Sequence, residues 1–352
     1  MTKKIINKSD VSKLLKDVNN EYNVYVPMEH IGGDVLFSVL SKEENDLEED
    51  IKRINLASEK TVNSPKDIFY PQLDTMMEYN DKGDIKETVE SSKKLVFGVR
   101  PCDFHAIAHQ DHFFSKNYQD KYYISRRENS LIVVIGCNKP PRPNECFCTS
   151  TGTGPFLTEG YDIQLVDVDD YYLVEIGSEK GSVFVKKNEK YFSDPYRDEI
   201  KHAENRKLEA EENINLKVNF NKALQIMKTE EIPQDNLERI AERCIECGAC
   251  VYVCPTCTCF DVFDDMKCGE GVRCRIWDAC VFSGYTKEAS GHNPGAKKEF
   301  RAARRYEHKL KYDTLETGIS GCIGCGRCLH SCPVDIGMSN FIKEITTNQK
   351  YH

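Results

Sequence analysis

The chain has 352 residues, of which 30% are charged, and its formal net charge is -9. This length allows two or three domains with cores of their own, and the negative charge argues against duplex nucleic acid as a partner. The sequence contains no run of about 18 apolar residues and no apolar segment near its polar N-terminus. We therefore expect a cytoplasmic protein that neither spans a membrane nor binds nucleic acid.

The first part of the chain shows the sequence pattern of an α/β domain. Short apolar runs predict two buried strands, residues 95–99 and 131–135. A glycine-flanked turn predicts a hairpin with strands at residues 171–176 and 182–185. Helices are predicted over residues 103–117 and 201–211.

The cysteines divide the chain into two parts. Four of the seventeen lie between residues 102 and 148, none lies in residues 149–243, and thirteen lie in residues 244–332. In a chain without an export signal, such clustering indicates metal binding rather than a disulfide framework. We place the domain boundary near residue 230, so that residues 1–230 form the α/β domain and residues 231–352 form a mainly α, ferredoxin-like domain.

The second part is predicted to contain helices and no long strand. A short amphipathic helix at residues 236–243 leads into the first cysteine run. A basic stretch over residues 297–311 is expected to be helical, with its charges on a solvated face or on a docking surface.

An internal repeat carries the clearest chemical signal. Two runs have the same cysteine spacing, x2, x2 and x3, with proline after the last cysteine: Cys244, Cys247, Cys250, Cys254 and Cys322, Cys325, Cys328, Cys332. This spacing is typical of two-cluster ferredoxins, in which the fourth cysteine of each run binds the other cluster. It predicts two [4Fe–4S] clusters with crossed ligands, one held by Cys244, Cys247, Cys250 and Cys332, the other by Cys322, Cys325, Cys328 and Cys254. The alternative, structural zinc, fits the repeat poorly because zinc sites use separated cysteine pairs.

A second constellation lies in the α/β domain. Cys102 and Cys137 directly follow the two predicted strands, and Cys146 and Cys148 lie on the next loop. The carboxyl ends of strands in an open α/β sheet line a crevice, so the four thiols are predicted to converge on a third [4Fe–4S] cluster or on zinc. The alternative is that these cysteines are small buried hydrophobic residues.

The remaining signals are weaker. Cys257, Cys259 and Cys280 are candidates for ligation, for tuning a cluster or for packing, and Cys268 and Cys274 are expected to be free thiols in a charged loop. We find no dinucleotide-binding glycine motif and no catalytic dyad. The chain is therefore expected to bind no flavin or dinucleotide, to have no catalytic site of its own, and to exchange electrons with other subunits.

These motifs together resemble a known family. The segment from Gly98 to Asp103, then Cys137 and the Cys146-Phe147-Cys148 triplet, resembles the iron–sulfur subunit of anaerobic sulfite reductase (its A subunit). It equally resembles the β subunit of cytosolic NAD(P)-linked [NiFe] sulfhydrogenases. The segments around Cys257, Cys280 and His292 also fit, and the resemblance covers roughly residues 60–345.

The resemblance implies a relay subunit with two kinds of partner. One is a flavoprotein subunit that binds FAD and NAD(P)H, and the other is a terminal reductase subunit with siroheme or a [NiFe] site. We place sulfite reductase first and the hydrogenase second. The terminal site, which distinguishes the two, would lie on another polypeptide. A redox sensor that binds metal is a hypothesis of a different class, although no DNA-binding helix pair is evident.

Overall fold

The computed structural model describes residues 2–56, 61–229 and 232–347. Residue 230, where we placed the domain boundary, lies outside these ranges, and the division stays a prediction. No helix in the described ranges is long and apolar enough to cross a membrane.

The secondary structure follows in chain order. The strands are β1 (Thr2–Asn7), β2 (Asn23–Glu29), β3 (Val35–Val39), β4 (Leu73–Asn80), β5 (Ile85–Glu87), β6 (Lys94–Val99), β7 (Ser130–Ile135), β8 (Ile163–Val168), β9 (Tyr171–Ile176), β10 (Phe260–Lys267) and β11 (Glu270–Trp277). The helices are α1 (Lys8–Val18), α2 (Glu44–Arg53), α3 (Lys66–Phe69), α4 (Pro101–Ser115), α5 (Lys121–Glu128), α6 (Cys148–Thr151), α7 (Glu179–Lys187), α8 (Arg197–Asn213), α9 (Phe220–Thr229), α10 (Gln234–Arg243), α11 (Ala249–Tyr252), α12 (Lys298–Glu307), α13 (Asp313–Thr317), α14 (Arg327–His330) and α15 (Met338–Thr347).

A seven-stranded sheet organises the α/β part of the chain. Its strand order is β1-β9-β8-β7-β6-β2-β3, with parallel pairing from β2 through β6 and β7 to β8 and antiparallel pairing toward both edges. Strands β6 and β7 are buried along their whole length, which explains their continuous apolar runs. Because β6 and β7 are parallel neighbours, their carboxyl ends lie side by side.

The predicted hairpin at residues 171–185 is wrong in its second half. Residues 182–185 belong to helix α7, and strand β9 pairs instead with β8 and β1. The Ser178 side chain caps this helix by accepting a hydrogen bond from the Gly181 N–H at 3.1 Å, and Phe184 and Val185 pack into the core. A short apolar run fits both the two-residue period of a strand and the 3.6-residue period of a helix. The helix-capping Ser178 is the signal in the sequence that favours the helix.

The expectation that the second part has no long strand is also wrong. Strands β10 and β11 have eight residues each and form a hairpin whose turn holds Cys268 and Gly269 at positive φ. This hairpin extends a second sheet, in the order β10-β11-β4-β5. A mainly α character for the C-terminal part is therefore not confirmed, and strands from both sides of residue 230 share one sheet.

The basic segment does form a helix, but one of its faces points inward. Helix α12 continues through a π-helical segment (His308–Tyr312) into α13. Arg301, Arg305 and Lys309, spaced by four residues, are 6%, 4% and 5% exposed. The expectation of a solvated face holds for Arg304, which is exposed, and fails for these three, because the same arc carries the apolar residues that pack against α9, α10 and α15.

Candidate iron–sulfur centre

The first predicted ligand set lies around one cavity, and we call it set A. Its thiols come from the start of the first cysteine run and the end of the second: Cys244, Cys247, Cys250 and Cys332. Helix α10 ends directly before Cys244, and Gly248 at φ +74° turns the chain into α11. Cys247 is exposed and the other three thiols are half-buried, so this cavity lies near the surface.

The second predicted set lies around another cavity and forms set B: Cys254, Cys322, Cys325 and Cys328. Gly326 at φ +76° begins α14 in the same way that Gly248 begins α11. The two runs therefore have the same local geometry, and each sends its fourth cysteine to the cavity of the other run.

The α/β part supplies the third set, set C: Cys102, Cys137, Cys146 and Cys148. Cys102 follows β6 by three residues and Cys137 follows β7 by two, so neighbouring parallel strands place both thiols at one edge of the sheet. The loop that follows β7 returns to this edge, where Cys146 and Cys148, the first residue of α6, line the same cavity. The structure thus brings together all four residues of the predicted N-terminal site.

Within the described residues, no group of three or more His, Cys, Asp or Glu side chains is placed to hold a single metal ion. The thiols of each set surround a cavity instead of meeting at one point. That arrangement suits a four-iron cluster, in which each thiolate binds a different iron.

Neighbouring cavities share lining residues. Arg305 lines the cavities of both set A and set B, and Cys325 lines those of both set B and set C. The cavities of sets A and C have no lining residue in common. Set B is therefore the middle member of a linear series.

The contact between sets B and C is made at close range by the backbone. The Phe147 N–H donates a hydrogen bond to the Gly324 carbonyl at 2.8 Å. A Cβ atom at Gly324 would lie 2.8 Å from the Cys148 backbone, and one at Gly326 would lie 2.7 Å from the Glu145 backbone. Both glycines also have positive φ, so glycine is required here for approach as well as for conformation.

A buried ion pair fixes the same contact. The Arg327 guanidinium donates to both carboxylate oxygens of Asp103, at 2.6 and 2.8 Å, and the two side chains are 3% and 0% exposed. Asp103 follows Cys102, and Arg327 lies between Cys325 and Cys328. A bidentate, desolvated pair of this kind sets position with high geometric specificity.

Two buried cations, Arg305 and Lys309, lie beside thiols of the cluster sets. Arg305 forms one long hydrogen bond, to the Ile336 carbonyl at 3.4 Å, and its Nε atom has no hydrogen-bond partner. Burial is the largest single influence on the pKa of Arg305 and opposes its charge, but the summed attraction of Cys250, Tyr306 and Cys328 raises this pKa well above its ordinary value. A buried cation needs a compensating anion, and a cluster bound by four thiolates supplies negative charge at this place.

Lys309 has the same position relative to set B. Its ammonium donates to the Thr256 hydroxyl at 2.7 Å and to the Gly321 carbonyl at 3.0 Å. Burial is the largest single influence on the pKa of Lys309 and opposes its charge, but the summed attraction of Cys254, Cys257 and Asp313 raises this pKa well above the ordinary value.

The thiols of set C are held in an apolar environment. Burial raises the pKa of Cys146 and of Cys148 to about 12 and that of Cys102 well above its ordinary value. These cysteines are therefore neutral at pH 7 when no metal binds them, and metal binding must release their protons.

Three cysteines without an assignment lie beside sets A and B. Cys257, Cys259 and Cys280 are buried in one cluster with Val251 and Val281, against which Cys250 and Cys254 also pack. Of the two cysteines expected in a loop, Cys268 is exposed in the hairpin turn. Cys274 is buried in strand β11 instead, near the Thr75 hydroxyl at 3.7 Å.

Residues of the α/β part contact the segment that contains Cys257 and Cys259. The Lys66 ammonium donates to the Cys257 carbonyl at 3.3 Å and lies 3.5 Å from the centre of the Trp277 ring. The Tyr70 hydroxyl donates to the Cys259 carbonyl at 3.3 Å. Burial lowers the pKa of Lys66.

Sequence reasoning missed these cations and the Asp103–Arg327 pair. A signal for Arg305 and Lys309 was present, because their four-residue spacing coincides with the apolar arc formed by Ala302, Tyr306 and Leu310. Lys66 gave no local signal.

An open groove on the four-stranded sheet is lined by residues such as Glu78 and Lys267. It lies away from all three thiol sets and is not an enclosed site.

Comparison with known proteins agrees with this site. The sequence profile of the 4Fe-4S dicluster domain matches residues 243–336, which contain sets A and B entirely. The fold and the thiol sets thus define an iron–sulfur protein of the electron-transfer class.

One relative shows the family to which the chain belongs. Sulfhydrogenase 2 subunit beta of Pyrococcus furiosus is 34% identical over 300 residues, which are 84% of this chain and 86% of that protein. The chain belongs to the iron–sulfur subunit family that includes this protein.

Proposed function

We propose that this chain relays electrons through three [4Fe–4S] clusters, held by sets A, B and C. The observation that carries the proposal is the linear series of three four-thiol cavities, in which adjoining cavities share Arg305 and Cys325. Such clusters, when bound, accept and donate single electrons at potentials set by charge, hydrogen bonds to sulfur and exposure.

The residues around the thiols fit this role. Backbone N–H groups point at sulfur in both runs, from Glu246 to Cys244 at 3.4 Å and from Met338 to Cys328 at 3.5 Å. Together with the buried charges of Arg305 and Lys309, these donors stabilise added negative charge on the thiolate side. The protein thus favours uptake of an electron without forming a substrate site.

The two ends of the series differ in exposure. At set A, Cys247 is exposed and Ile245 is 61% exposed, whereas Cys137, Cys146 and Cys148 of set C are buried. We infer that one partner docks over set A, where the distance from solvent to sulfur is short. We infer that electrons pass to or from the other partner at set C.

The partners follow from the family and from what the chain lacks. The sequence has no dinucleotide-binding glycine motif, so electrons from NAD(P)H would enter through an FAD-binding flavoprotein subunit. We propose a [NiFe] hydrogenase subunit as the terminal partner, because the relative is by its name a subunit of a sulfhydrogenase. A siroheme sulfite reductase subunit is the second candidate, supported by the motif resemblance around set C.

The partner assignment is tested in the cells that make the protein. The full chain is tagged, purified without oxygen, and the bound subunits are identified by mass spectrometry together with nickel and siroheme analysis. We expect a flavoprotein and a nickel-containing subunit in constant ratio to the tagged chain. Siroheme without nickel would favour the sulfite reductase, and recovery of the chain alone at full iron content would contradict the relay between subunits.

A further inference from the structure

The β10–β11 hairpin brings two cysteines together that are 21 positions apart in sequence. Phe260 pairs with Trp277 at the open end of the hairpin, and the Asp278 N–H donates to the Cys259 carbonyl at 3.0 Å. Cys259 therefore lies opposite Asp278, and Cys280 follows two residues later.

The side chains of both cysteines are turned inward. Cys259 and Cys280 are 9% and 5% exposed and pack in one apolar cluster with Val251 and Ala279. Their thiols are hydrogen-bonded to each other, and the Tyr285 hydroxyl is hydrogen-bonded to Cys259. Two sulfurs in contact at the base of a hairpin can be bridged without a large change of backbone.

This pair is distinct from the three cluster sets. Neither Cys259 nor Cys280 lines the cavities of sets A, B or C, and the neighbouring Cys257 thiol is hydrogen-bonded to Cys254 of set B. Two thiols in contact, outside the three cluster cavities, suit sulfur–sulfur bond formation.

We propose that Cys259 and Cys280 form a reversible dithiol–disulfide couple beside the electron relay. On oxidation the two S–H bonds break, one S–S bond forms, and two electrons and two protons leave. The electrons pass singly to a one-electron acceptor, the class to which oxidised [4Fe–4S] clusters belong. The protons pass toward solvent by way of the half-buried Tyr285 hydroxyl.

The position of the couple gives it a function in the relay. Cys250 of set A and Cys254 of set B both pack against the apolar cluster that contains the pair. NAD(P)H and H2 deliver electrons two at a time, and the relay passes them one at a time. A dithiol at this place can hold a pair of electrons until the second acceptor is free, and this inference rests on the proposed relay function.

The couple is tested on the full chain with its clusters loaded under anaerobic conditions. One sample is oxidised with thionine and a second is reduced with dithionite. Both are quenched in acid with chelator, alkylated and digested with trypsin. Cleavage after Arg275 and Lys287 isolates Cys280 as the sole cysteine of its peptide, so a disulfide to Cys259 appears as a linked peptide pair that tandem mass spectrometry locates.

We expect the linked pair in the oxidised sample and its loss in the reduced one. In a reductive titration, Cys280→Ser should take up two electrons fewer per chain than the wild type, with iron content and cluster EPR signals unchanged. Cys274→Ser, which removes another buried hairpin thiol, should match the wild type in both measurements.

Two results would overturn the couple. One is a wild-type chain with full iron content that shows no 259–280 linkage after oxidation. The other is a loss of about four irons in Cys280→Ser, which would make the cysteine a cluster ligand. Iron content and EPR are recorded on the same samples, so a wild-type chain that lacks its clusters identifies a failure of the relay proposal instead.

Discussion

Sets A and B differ from set C in how the chain builds them. The C-terminal sets come from two short runs in which four cysteines lie within eleven residues, so the local turn at each glycine fixes most of the geometry. Set C takes its thiols from two strand ends and a returning loop, spread over 47 residues. It depends on the whole sheet, and on contact with the second run, for its shape.

The difference shows where each set is vulnerable. A local run can keep its shape while the surrounding domain changes, whereas set C requires that β6, β7 and the segment 324–327 stay together. The Asp103–Arg327 pair and the Phe147–Gly324 hydrogen bond are the connections between these parts. Changes at them should separate the behaviour of set C from that of sets A and B.

The largest effect is expected from Arg327→Met. The substitution leaves the Asp103 carboxylate buried without its counter-ion, which costs about 3–5 kcal/mol of stability. Thermal unfolding monitored by circular dichroism should show a clear decrease in Tm, and iron should be lost from set C before the other sets.

A matched control is available in the exposed hairpin. Arg273→Met removes an ion pair with Asp264 whose side chains are both close to half exposed, and such pairs contribute little. Its Tm should equal that of the wild type. Equal decreases in both variants would mean that the buried pair does not hold the two parts together.

A smaller effect is expected at the junction of sets A and B. Arg305→Met removes a buried positive charge next to both cavities, so the reduced, more negative state loses stabilisation and the cluster potentials should fall. A loss of about 1.4 kcal/mol corresponds to about 59 mV for one electron. Potentials are measured by EPR-monitored redox titration.

The control lies one residue away. Arg304→Met changes the same kind of side chain on the exposed face of α12, and its potentials should match those of the wild type. A shift in the Arg304 variant equal to that in the Arg305 variant would show that overall charge, and not buried charge, sets the potential.

The smallest effect concerns the rate at which each set loses iron. When the loaded chain is treated with a chelator under anaerobic conditions, the first irons should leave from set A, because Cys247 is exposed while three of the four thiols of set C are buried. EPR spectra during the loss identify the set. Loss from set C first would contradict the order of exposure along the series.

The sequence indicated which thiols lie around a common cavity better than it predicted the fold around them. The spacing in the two runs allowed the crossed sets to be proposed from local rules, and the positions of Cys102 and Cys137 after strands sufficed once a parallel sheet was assumed. The β10–β11 hairpin was missed because β10 is an exposed edge strand rich in charged residues, so this stretch was interpreted as a charged loop. The buried face of α12 is determined by the helices that pack against it. The charges along one helix do not reveal these contacts.

The number of clusters is the central claim, and iron content of Cys137→Ser tests it most directly. The full chain and this variant are loaded without oxygen, and iron, sulfide and EPR spin are measured against protein. The account predicts about twelve irons in the wild type, about eight in the variant, and loss of one EPR signal while those of sets A and B remain. An unchanged iron content in the variant, or about eight irons in the wild type, would contradict a cluster in set C.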